Sequence, residues 1–63
     1  MVKEVFQRYI LNDLISLVII VTIKEHIATE KKLIDYSGIE LYELMDKACK
    51  TYYKMGNSWY III

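Results

Sequence analysis

The chain has 63 residues, 56% of them hydrophobic, with eight basic and eight acidic side chains and zero formal net charge. Only about 60% of the unfolded surface is buried at this length, which makes a lone monomer marginal. A single cysteine, Cys49, and a single histidine, His26, exclude an internal disulfide framework and a four-ligand zinc site. Neutrality removes the long-range field that would gather nucleic acid. An apolar, neutral chain of this size is expected to self-associate. The lone cysteine and the lack of a secretory leader suit a reducing cytoplasm.

From about Val2 to Ile34 the apolar residues take helical spacing. Ile10, Leu14, Leu17, Val21 and Ala28 share one face, with Phe6 extending it. Glu4, Arg8, Asn12 and Ser16 form a polar stripe opposite, but Leu17–Val21 is apolar on every side. The rival reading is a strand over Val18–Ile23, favoured by its β-branched residues. No turn residues flank that run, which weighs toward a buried helix. A membrane span is excluded because the apolar run Leu14–Ile23 is half the required length of about 20 residues. Extension in either direction meets Asp13 and Arg8, or Lys24 and Glu25.

Asp35-Tyr36-Ser37-Gly38 is the strongest break in a chain without proline. Ser37 and Glu40 have capping-box spacing, with Tyr36 and Leu41 in staple positions, so the turn falls at 35–37 and a helix starts at Gly38. Beyond it, Leu41, Met45, Ala48, Tyr52, Met55, Trp59 and Ile62 alternate steps of four and three. That is a heptad seam, and it predicts a second helix over about 38–58. Glu43 with Lys47 and Asp46 with Lys50 add acid-before-base pairs. The tail from Trp59 to Ile63 keeps the helical phase but also fits a short strand.

These elements predict an all-α fold: an antiparallel αα-hairpin over residues 1–63 that dimerises into a four-helix bundle. The predicted dimer core is Ile10, Leu14, Leu17, Val21, Ala28, Leu41, Met45, Ala48, Tyr52 and Met55. In its length, its Tyr36-Ser37-Gly38 turn and its Ile-rich first segment, the chain resembles the Rop type of helical-hairpin protein. More narrowly, it is similar to the small hairpin proteins of the spindle-shaped viruses of hot-spring archaea. That resemblance implies a homodimeric adaptor in an infected cell's cytoplasm. The RNA-binding face of Rop has no counterpart in the mixed stripe of Glu4, Arg8, Asn12 and Ser16.

No catalytic, cofactor-binding or metal-binding set is predicted. His26 lacks an orienting carboxylate, since adjacent Glu25 points elsewhere on a helix. Cys49 has no base in reach and reads as a small buried thiol. Glu40 and Glu43 lack the Glu-x-x-His motif of di-metal bundles. Tyr53 and Tyr60, seven apart beside Gly56, are the candidate partner surface, because tyrosine is enriched at interfaces. The expected function is a non-enzymatic protein–protein adaptor or small regulator, with a homodimer and an unknown protein as partners. Its alternative is a helix-turn-helix DNA binder over residues 30–53. Nucleic acid is disfavoured because Glu40 and Glu43 would meet phosphates at the start of the recognition helix.

Overall fold

The computed structural model describes residues 1–11 and 16–63. Four strands, β1 (Leu17–Thr22), β2 (Ile27–Lys32), β3 (Thr51–Met55) and β4 (Ser58–Ile62), form one sheet in the order β2-β1-β4-β3. Two hairpins, β1–β2 and β3–β4, are joined in the middle by parallel pairing of β1 with β4. Helix α1 (Val2–Val5), a π-helical turn (Phe6–Ile10) and helix α2 (Gly38–Met45) complete the fold. The all-α hairpin and its four-helix bundle are therefore corrected to a mixed α/β fold.

The helix expected over 2–34 stops at Leu11 and gives way to β1 and β2. The run Leu17-Val-Ile-Ile-Val-Thr22 is apolar all round because it is a central strand with neighbours on both sides. β-branched side chains fit the pleat better than a crowded helix. The rival strand reading of Val18–Ile23 thus describes this segment, starting one residue earlier and ending at Thr22. The turn linking β1 to β2 contains no glycine, asparagine or proline. It is closed by the His26 N–H donating to the Ile23 carbonyl (3.3 Å), with His26 itself in left-handed backbone at φ 56°.

The break at 35–37 does separate two elements, though the first is a strand followed by a 3-10 turn (Leu33–Asp35). The capping box forms: Glu40 N–H donates to Ser37 Oγ (3.2 Å), and Ser37 N–H donates to the Glu40 carboxylate (3.1 Å). α2 then runs eight residues and ends at Met45, not near residue 58. The heptad seam crosses α2, a loop and two strands. Residues 30–53, considered as a helix-turn-helix, comprise a strand end, the 3-10 turn, one helix and most of β3.

The second hairpin turns through Gly56-Asn57, two residues between the paired Met55 and Ser58. Gly56 has φ 60° and Asn57 has no positive φ, the arrangement of a type II′ turn. A Cβ on Gly56 would meet nothing within 4 Å, so only the backbone objects to a side chain there. Gly56→Ala is expected to destabilise the protein by about 1–2 kcal/mol, read as a lower urea midpoint with an unchanged slope.

Strand alternation settles which residues form the core. Val18 and Ile20 of β1 and Ile61 of β4 point to one face, where they meet Val2, Val5, Phe6, Ile10, Leu33 and Leu44. Both helices therefore cover the same side of the sheet. The Val2 N–H ties the N-terminus to the Lys47 carbonyl after α2 (3.0 Å). Of the nine predicted core residues that are described, only Ile10 is fully buried. Leu41 and Met45 flank the core, Leu17 and Val21 lie partly buried on the opposite face, and Ala28, Ala48, Tyr52 and Met55 are exposed. Leu14 falls outside the described residues. The physical reason is the period: a step of four keeps a strand residue on its face, and a step of three flips it.

Candidate functional site

Among the described residues, none forms a layer over the side of the sheet away from the helices. Pairing register places three rows of side chains there, read from β2 to β3: Ala28-Val21-Ile62-Thr51, Glu30-Ile19-Tyr60-Tyr53, and Lys32-Leu17-Ser58-Met55. The two inner strands contribute Leu17, Ile19, Val21, Tyr60 and Ile62, each half-buried. Glu30 and Lys32 are the only charged side chains in the rows, and both sit on edge strand β2. Contiguous apolar surface of this kind is uncommon on a sheet face left to water, which usually alternates apolar with polar.

Tyr53 and Tyr60 stand together at the β3 side of this face. They are direct cross-strand partners with stacked rings, centroids 4.8 Å apart and planes 7° apart. The type II′ turn at Gly56 sets that register, since Met55 must oppose Ser58 before Tyr53 can oppose Tyr60. Proximity on a helix flank is thus replaced by proximity across a hairpin. Sequence reasoning missed Leu17, Ile19, Val21 and Ile62 as surface residues. Their two-sided apolar run was the available signal, since it shows that β1 and β4 carry apolar residues on both faces.

The covered side has a second feature, a cleft of about 310 Å³ between the N-terminal helix and β3. Glu4, Arg8, Tyr9, Cys49, Lys50 and Tyr52 line it. Tyr9 stacks on Trp59 (5.4 Å) and packs tilted against Tyr52 (5.6 Å), pinning the π-helical turn to the β3–β4 hairpin. The Tyr9 hydroxyl beside Tyr52 pushes the Tyr52 phenol above its ordinary pKa. Lys54 lies over the Trp59 ring at 5.9 Å. Burial also pushes the Cys49 thiol up, and its Sγ donates to the Thr51 carbonyl (3.3 Å). A thiol held protonated in this way is a poor nucleophile.

Glu40 and His26 lie away from this cleft. Glu40 pairs with Lys31 across the β2–α2 junction, and Lys31 also caps the Tyr36 ring at 5.0 Å. Lys31 first, and Ser37 second, lower the Glu40 pKa to about 2. His26 lies exposed in the β1–β2 turn. Among the described residues no group of three histidine, cysteine or acidic side chains is placed to hold a metal. No helix among them is long and apolar enough to cross a membrane.

Comparison with protein-family models, curated proteins and solved structures finds no match to this chain. The resemblance to Rop-type hairpins has no support there, and the two long helices it rested on are replaced by the sheet.

Proposed function

We propose that this chain is a non-enzymatic protein–protein interaction module that works through the open face of its sheet. One observation carries the reading: a four-stranded sheet is covered by helices on one side and presents Leu17, Ile19, Val21, Tyr60 and Ile62 on the other. A half-covered sheet normally alternates apolar inward and polar outward. Here β1 and β4 are apolar both ways, which supports a second contact layer supplied from outside. The stacked Tyr53–Tyr60 pair adds rigid rings with hydroxyl tips, the side-chain type that anchors protein interfaces. A reducing compartment suits such a module, because Cys49 there remains a thiol.

Photo-cross-linking tests this reading. A benzophenone amino acid at Tyr53 is expected to give covalent protein adducts under native conditions. The same group at Tyr42, 74% exposed on α2, is expected to give few. Equal yields at the two positions, or none at Tyr53, would remove the open face as the interaction site.

A further inference from the structure

We infer that the occupant of the open face is a second copy of this chain, packed face to face about a two-fold axis. The inference rests on the interaction reading and adds the identity of the partner. Charge is the first argument. The chain is neutral overall, and the face carries one acid and one base, Glu30 and Lys32, both at its rim. Two copies meet without repulsion, and no charge enters the centre of the contact. A strongly charged partner finds nothing there to pair with.

Area is the second argument. Three rows of four side chains, on strands about 4.8 Å apart with a rise of about 3.3 Å per residue, cover roughly 300 Å² in plan. Two copies bury about twice that plan area, more once side-chain relief is counted, which places the contact among small interfaces of micromolar affinity.

Geometry is the third. A two-fold axis parallel to the strands lays β1 of one copy across β4 of the other. The apolar centre of each sheet then meets the apolar centre of its partner, as in an aligned sandwich with layers about 10 Å apart. The competing contact, strand addition at an edge, is opposed by the charges Glu30, Lys31 and Lys32 on β2 and Lys54 on β3.

Light scattering behind a sizing column tests the inference on the full chain. At about 100 µM, well above the micromolar dissociation constant expected of a small interface, the mass should be twice 7.5 kDa. Ile19→Lys should halve it while leaving the far-ultraviolet circular dichroism unchanged. Should Ile19→Lys fail to fold, Tyr60→Ser decides. It adds no charge, and the dissociation constant should rise tenfold or more. Wild-type protein that stays monomeric at this concentration overturns the second copy. Adducts from Tyr53 to another protein would then still stand, so the interaction reading fails separately. A dimer whose mass and affinity survive both substitutions uses another surface and overturns the inference as well.

Discussion

Phe6→Ala is expected to cost about 3–5 kcal/mol and to leave the protein largely unfolded at 25 °C. Phe6 is fully buried, on the π-helical turn, and belongs to the cluster that joins the N-terminal helix to Val18, Ile20 and Ile61. Among the described residues nine hydrophobic side chains are buried, and four of them, Val2, Val5, Phe6 and Ile10, come from that one short segment. Loss of the ring opens a cavity where the segment meets the sheet, and few neighbours are available to close it. For a domain of this size the total stability is roughly 3–9 kcal/mol, so one such cavity removes most of it. Urea denaturation followed by circular dichroism provides the check. A loss below about 1 kcal/mol would mean that the N-terminal segment does not pack where it is placed.

The second large effect separates two neighbours on one strand. Val18→Lys is expected to abolish folding, whereas Ile19→Lys leaves a cooperative thermal transition. Val18 faces the helices at 0% exposure, and a lysine there puts an unpaired charge into the dry core. Ile19 faces the uncovered side, where a lysine can hold its ammonium group in water. Adjacent residues on a strand point in opposite directions, and on a helix they differ by only about 100°. Paired melting curves therefore test the sheet itself. Similar destabilisation by both substitutions would contradict the alternation of β1.

A few residues account for most of the difference between the pattern in the sequence and the fold. The start of α2 was legible because a capping box is local: Ser37 and Glu40 need only each other and the backbone between them. The β3–β4 hairpin was legible in principle, since Gly56-Asn57 flanked by apolar residues is a two-residue turn signal. It was overridden by a seam whose steps of four and three are shared by strands that swap faces. The β1–β2 turn could not be read, because Ile23-Lys24-Glu25-His26 has no glycine, asparagine or proline to signal it, and a lone histidine at positive φ leaves no distinctive mark in a sequence. Without a visible turn, the β-branched run before it lost its boundary and merged into a helix pattern. The pairing of Tyr53 with Tyr60 was legible as a pair, and its setting on a sheet was not. That setting depends on β1, which is distant in sequence.

The parallel pairing of β1 with β4 has a kinetic consequence. Leu17 pairs with Ser58 and Val21 with Ile62, so the two halves of the sheet's centre lie far apart in sequence. Each hairpin and α2 can close from local contacts within microseconds, but their union waits on a long loop closure. High contact order of this kind slows folding relative to a helical hairpin of equal length. During synthesis β1 emerges with one edge unpaired and stays so until β2, α2 and β3 have been made and β4 has followed them.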